Sequence, residues 1–144
     1  MDLRIKKLNE RAIVPTYGSD YAAGADLYSC EGEITFNPDE TKLVHTGLAM
    51  EIPNGYVGLI YARSGIATKR GLAPANKVGV IDSDYRGEIM VALHNHSASV
   101  QKIDAGERIA QIVITPYLAV KYVESAELND TKRGDGGFGS TGTK

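Results

Sequence analysis

Three polar side chains stand in stretches that are otherwise apolar or small. Asp82 follows Gly79-Val80-Ile81 and opens the run Asp82-Ser83-Asp84-Tyr85. A carboxylate at the end of a buried strand serves either as a turn acceptor or as a general base shielded from water. Gln111 is the lone polar residue within Ile109–Ile114. A buried amide left unpaired costs about 1–3 kcal/mol, so Gln111 is expected to face a polar site. Asp26 sits in Ala23-Gly24-Ala25-Asp26-Leu27, where it either satisfies backbone N–H groups or serves a ligand. Asn76 carries a donor and an acceptor, which suits a base edge and equally suits a turn. Tyr85 offers a ring as a floor for a flat or sugar-like ligand.

Two further segments have the chemistry of an anion site. In Arg63-Ser64-Gly65-Ile66-Ala67-Thr68-Lys69-Arg70-Gly71, Ser64 stands where an N-cap belongs and Gly71 where a helix closes. A short helix over 65–70 puts free N–H groups beside Arg63, with Lys69 and Arg70 at the negative end. An ordinary capped surface helix reads the same way. The last twelve residues, Arg133 to Lys144, hold five glycines, one aromatic and several hydroxyls. Such residues allow close backbone approach to a polyphosphate. No strand feeds this loop and no helix follows, so it is not a Walker A loop. A soluble tail has the same composition.

The elements that must position these groups are short. The 144 residues suffice for one domain, and 16 glycines with many β-branched residues favour strands. Apolar stretches recur at 3–8, 25–28, 42–52, 56–61, 77–82, 86–95, 109–115 and 117–124. Turn signals fall at 37–40, 53–55 and 104–107. This spacing predicts an all-β sandwich or barrel, with 77–82 and 85–93 as a hairpin around Asp82-Ser83-Asp84. A net charge of −2 excludes strong attraction to nucleic acid or membrane. No apolar run reaches a membrane span. Cys30 is the one cysteine, so no intramolecular disulfide forms, in keeping with a cytoplasmic protein and a buried structural thiol. His94 and His96 share a strand face without the further ligands a zinc site needs.

Five segments then stand in one order: Ala-Gly-Ala-Asp-Leu at 23–27, Arg-Ser-Gly-Ile-Ala at 63–67, Gly-Val-Ile-Asp-Ser-Asp-Tyr-Arg-Gly at 79–87, Gly-Glu-Arg-Ile-Ala-Gln at 106–111 and Arg-Gly-Asp-Gly-Gly-Phe-Gly-Ser-Thr-Gly at 133–142. Together they closely resemble the five motifs of the trimeric dUTP diphosphatases (dUTPases), over essentially the whole chain. The resemblance implies a jelly-roll β-barrel over 1–128 and a glycine-rich arm over 129–144 that closes an active site. It implies a homotrimer with sites shared between subunits, and hydrolysis of dUTP to dUMP and pyrophosphate with Mg²⁺ on the triphosphate. Asp82 then resembles the residue that deprotonates the attacking water. Arg63, Ser64 and Gly65 resemble the phosphate-binding motif, and Gln111 a phosphate- or water-binding glutamine. Asp26 resembles a residue that holds Mg²⁺ through water. Asn76 and the backbone near Val80, Ile81 and Met90 resemble the uracil-reading edge, and Tyr85 the residue under the deoxyribose. In the tail, Phe138 resembles the ring that stacks on uracil. Arg133, Gly139, Ser140 and Thr141 resemble the residues that meet the phosphates.

One departure stands out. The family's second motif opens with proline before the arginine, where this chain has Ala62. Ala62 removes no chemical group. Two other readings share the resemblance: a dCTP deaminase-type enzyme on the same fold, and a non-catalytic nucleotide-binding barrel. Deamination needs a carboxylic acid beside C4 of cytosine, and the uracil-reading stretch holds no spare one.

Overall fold

The computed structural model describes residues 1–140 and 142. In chain order its elements are β1 (Arg4–Lys7), β2 (Thr16–Tyr17), β3 (Ala25–Tyr28), β4 (Ile34–Phe36), β5 (Thr41–His45), β6 (Leu48–Glu51) and β7 (Tyr56–Tyr61). Then come α1 (Ser64–Arg70), β8 (Leu72–Pro74), β9 (Gly79–Ile81), β10 (Met90–Asn95), β11 (Gln101–Ile103) and β12 (Arg108–Pro116). The strands form four antiparallel groups: β1-β6, β11-β4, β5-β10-β8, and a five-stranded sheet in the order β2-β3-β12-β7-β9. Short strands around one core, with one short helix, make the all-β barrel that the spacing predicts, of the jelly-roll kind that the resemblance implies.

Strand alternation builds the core. In β10 the pattern runs half-buried, buried, half-buried, buried, and its buried members are Val91, Leu93 and Asn95. They meet Phe36, Val44, Leu72 and Ile103, all fully enclosed. Asn95 is a buried amide that is fully paired. Its Nδ2 donates to the carbonyls of Phe36, Asn37 and Ser99, and its Oδ1 accepts from Ser97. An unpaired amide there would lose about 1–3 kcal/mol.

Several boundaries differ from those that the sequence predicts. The stretch 42–52 is two strands in two sheets, because the chain turns at Thr46-Gly47. Gly47 has φ of 67°, and a Cβ there would stand 2.9 Å from both Ala12 Cβ and Asn9 Cβ. The hairpin expected between 77–82 and 85–93 does not form. β9 pairs with β7, whereas β10 pairs with β5 and β8. Asp82 and Tyr85 do share a tight turn, with Tyr85 N–H on Asp82 O at 3.2 Å. The stretch 117–124 is not a strand: it leaves the barrel after β12 with every residue exposed, so its apolar side chains join no core. The short strands β2, β4, β8 and β11, of two or three residues each, lie below what apolar spacing can register.

No helix among the described residues is long and apolar enough to cross a membrane. Cys30 is free and buried, and burial pushes its thiol up. His94 bonds Thr41 Oγ1 through Nδ1 at 2.7 Å and lies 3.3 Å from Asp39 through Nε2. Both ring nitrogens are thus engaged, and no cluster of three metal-ligating side chains occurs among the described residues.

Candidate active site

The register of the five-stranded sheet gathers the first group. Gln111 on β12 is directly opposite Asp26 on β3 and Tyr61 on β7. Residues paired in this way project from one face. Asp26 is buried, and two guanidinium groups reach its carboxylate. Arg63 Nε donates to Oδ1 at 2.6 Å, and Arg108 Nη1 to Oδ2 at 3.2 Å. Gln111 Nε2 donates to the Ala62 carbonyl at 2.8 Å. That acceptor is main chain, so the missing proline removes nothing from the contact. Gly24 packs under the amide, where an added Cβ would meet Gln111 Oε1 at 2.4 Å.

Arg108 was given no role in the sequence, and simple alternation hides it. Arg108 and Gln111 are three residues apart, which puts them on opposite faces of a regular strand. A bulge between Arg108 and Ala110 shifts the register, so that Arg108 pairs with Tyr28 while Gln111 pairs with Asp26. Both side chains therefore reach the same face. The motif Gly106-Glu107-Arg108 was the only signal for it. Glu107 was missed as well. Its carboxylate holds Arg70 at the end of α1 and accepts from Asp104 N–H at 2.8 Å.

The helix starts one residue earlier than its predicted core. Arg63 is the N-cap, without a side-chain cap bond, and Ser64 is the first helical residue. Ser64 is therefore not the cap; its carbonyl accepts from Thr68 Oγ1 at 2.6 Å. Gly71 closes the helix in the left-handed conformation, and Lys69 and Arg70 lie in its last turn. Ser64 and Gly65 are exposed. With Gly24, Asp26, Arg63 and Gln111 they line a polar pocket of about 210 Å³.

Asp82 lies elsewhere. It borders a groove of about 660 Å³ with Tyr56, Leu59, Val80, Ser83 and Tyr117. Ile81 pairs with Gly58, which puts Asp82 beside the Val57 end of β7, whereas Gln111 pairs with Tyr61. Four residues of strand span roughly 13 Å, and two strand spacings add about 10 Å across the sheet. One chain thus holds the carboxylate and the arginine cluster well apart. β9 is an edge strand, so one row of its N–H and C=O groups has no partner. Val80 is 61% exposed there. Asn76 is exposed in the connection before β9, with its carbonyl bonded to Val78 N–H at 2.7 Å. Met90 opens β10 opposite His45. Tyr85 is partly exposed, and its hydroxyl donates to the Glu88 carbonyl at 2.8 Å.

The tail keeps to itself. Arg133 Nε donates to Gly136 O at 2.8 Å, and Ser140 N–H to Gly137 O at 2.9 Å. Phe138 is fully exposed, and Gly139 beside it is exposed too. Among the described residues, the hydrogen bonds of 118–142 all stay within that segment. Thr141 lies outside the described residues.

The donor set offers no first-sphere metal cage. Both Asp26 oxygens already accept from arginine. A carboxylate has about four acceptor sites, so Asp26 retains room for hydrogen bonds from water. The fit is to a metal that keeps its own waters, as Mg²⁺ does.

Comparison with known proteins places this arrangement. A family model described as dUTPase matches residues 10–142. A deoxyuridine 5'-triphosphate nucleotidohydrolase of Nautilia profundicola is 53% identical over 142 residues, 99% of each chain. One from Hydrogenobaculum is 50% identical over the full length of both. Among solved structures, a variant of the Staphylococcus bacteriophage 80alpha dUTPase with dUpNHpp superposes with a TM-score of 0.92. It is 28% identical and covers 99% of both chains. A phage phi11 dUTPase variant, described with a structural Mg(II) ion, gives a TM-score of 0.82 at 25% identity, over 90% of this chain and 100% of its own. Fold, motifs and relatives agree, and the chain belongs to the dUTPase family.

Proposed function

We propose that this chain hydrolyses dUTP to dUMP and pyrophosphate, in a homotrimer whose sites lie between subunits. The observation that carries the reading is β9, a free strand edge that runs directly into Asp82. Unpaired N–H and C=O groups near Val80 and Ile81, with Asn76 and Met90, suit the edge of uracil. Asp82 then stands beside the sugar and the α-phosphate.

The chemistry follows. Asp82 takes a proton from water as its oxygen bonds to the α-phosphorus. The bond from that phosphorus to the bridging oxygen breaks, and pyrophosphate leaves with the electron pair. A general base contributes about 10²–10⁴-fold. Positioning and charge neutralisation supply more. Arg63, Ser64, Gly65 and Gln111 would meet the phosphates, and Asp26 would orient Arg63 and receive metal-bound water. Mg²⁺ would offset charge on the triphosphate. Tyr85 would lie under the deoxyribose. Phe138 would stack on uracil, with Arg133, Gly139, Ser140 and Thr141 over the phosphates.

Assembly is the second half of the reading. Asp82 and the arginine cluster lie too far apart in one chain to meet one nucleotide. A second subunit bringing its cluster to the Asp82 groove removes that difficulty. The arm over 129–144, whose described residues make no hydrogen bond to the barrel, suits a neighbour's site.

The test is pyrophosphate release from dUTP, dTTP, dCTP and UTP. Release confined to dUTP is expected; comparable rates on all four reject the reading. Ammonia released from dCTP would favour the deaminase alternative. A second expectation concerns Gly24. Gly24→Ala drives a methyl into Gln111 Oε1 and should lower kcat/KM about tenfold or more. Wild-type kinetics in a folded Gly24→Ala protein would remove the Gln111 amide from the site.

A further inference from the structure

β9 ends at Ile81 in one sheet and β10 begins at Met90 in another, so residues 82–89 have no strand ladder of their own. Hydrogen bonds at the far end of this segment fasten it instead. Glu88 Oε1 accepts from the Gly47 backbone N–H at 2.8 Å, and Glu88 Oε2 is bonded to His45 Nδ1 at 2.9 Å. The next residue, Ile89, is fully buried. Its N–H donates to Leu48 O at 2.8 Å, and its carbonyl accepts from Thr46 Oγ1 at 2.6 Å. The Glu88 carbonyl takes the Tyr85 hydroxyl. The Tyr85 ring closes over Gly87, where an added Cβ would stand 2.5 Å from the phenolic oxygen. One residue therefore ties the segment to the β5–β6 corner and also aims the ring.

We propose that Glu88 and His45 are positioning residues of the nucleotide site, a latch that holds Asp82, Tyr85 and Met90 in one substrate-facing arrangement. The inference rests on the dUTP-hydrolysing reading. Neither residue needs to touch substrate. Glu88 acts through Tyr85, and His45 acts through its cross-strand partner Met90.

Groups from three other segments lie around His45, and two of them, Glu88 and Glu31, act on its ionisation. Glu88 faces it from the 82–89 segment. From the 29–33 segment, Glu31 Oε2 accepts the His45 N–H at 2.9 Å, and Cys30 N–H donates to the His45 carbonyl at 2.9 Å. Arg11 acts on Cys30 from the N-terminal segment. The Glu88 hydrogen bond raises His45 above the ordinary imidazole value; burial opposes it, and Glu31 adds to the rise. A histidine with a raised folded value contributes fully at low pH, and its contribution fades as pH rises through that value. The latch is tightest on the acid side and loosens toward alkaline pH.

The test uses the full chain with Glu88→Gln and His45→Gln, in steady-state hydrolysis of dUTP between about pH 6 and 9. KM is expected to rise about tenfold in both variants, with a smaller change in kcat. In the wild type, KM should climb as His45 deprotonates; in His45→Gln this climb should vanish. A purely structural role would lower the melting temperature without moving that pH profile. His45→Gln changes a side chain 44% exposed, which keeps the test open if Glu88→Gln does not fold. A wild type inactive on dUTP overturns the function and the latch together. An active wild type whose variants match it in KM and pH profile overturns the latch alone.

Discussion

Asp82→Asn will slow pyrophosphate release from dUTP by about 10²–10⁴-fold, while a non-hydrolysable dUTP analogue still binds. Asparagine matches the shape of aspartate and keeps its hydrogen-bonding reach, but it cannot accept the proton that water must lose. The turn should survive the change, because its recorded bond runs between the backbones of Tyr85 and Asp82 rather than through the carboxylate. Single-turnover rates and analogue titration, on one preparation, separate the two effects. Release at the wild-type rate would strip Asp82 of the role of base. Lost analogue binding with an unchanged rate on bound dUTP would make it a binding residue instead.

Deleting residues 133–144 should be nearly as damaging to catalysis and almost silent in stability. A stacked ring is worth about 1–3 kcal/mol, and one hydrogen bond to a charged group about 1.5–3 kcal/mol. Losing one of each lowers kcat/KM by roughly 10²–10⁴-fold. The melting temperature of the barrel should hold, since the described residues of this segment hydrogen-bond only to one another and to Thr131. Ordering about ten residues costs on the order of 10–20 kcal/mol at most, more than one stacked ring returns. The intact arm should therefore become protected from proteolysis only when a dUTP analogue is bound. Equal protection with and without the analogue would contradict an arm that closes on the nucleotide. A truncated protein with wild-type kcat/KM would remove the arm from the site.

The sequence revealed most where chemistry and burial conflict. Gln111 was conspicuous because an amide interrupted an apolar strand, and the register put it opposite Asp26. Glycine and lysine-arginine signals marked the end of α1 correctly, whereas the start was misplaced because Arg63 takes the cap position without a side-chain bond. The failed hairpin has a different cause. Asp82-Ser83-Asp84 makes a turn, as its composition demands, but strand pairing depends on neighbours remote in the chain. β7 and β5 claimed the two flanking strands. Long-range competition of this kind leaves no local trace. The roles of Arg108 and Glu88 were hidden for related reasons, one behind a register shift and the other in a contact 43 residues away.

The bulge in β12 carries a lesson about insertions and deletions. Arg108 and Gln111 are three residues apart, yet their partners Tyr28 and Asp26 are two apart, so the bulge absorbs one extra residue. Deleting one residue between them leaves an interval of two, and a regular strand then keeps both side chains on one face. Flattening the bulge at its present length turns one of the two toward the barrel wall instead. This strand therefore tolerates being shortened by one residue better than being straightened.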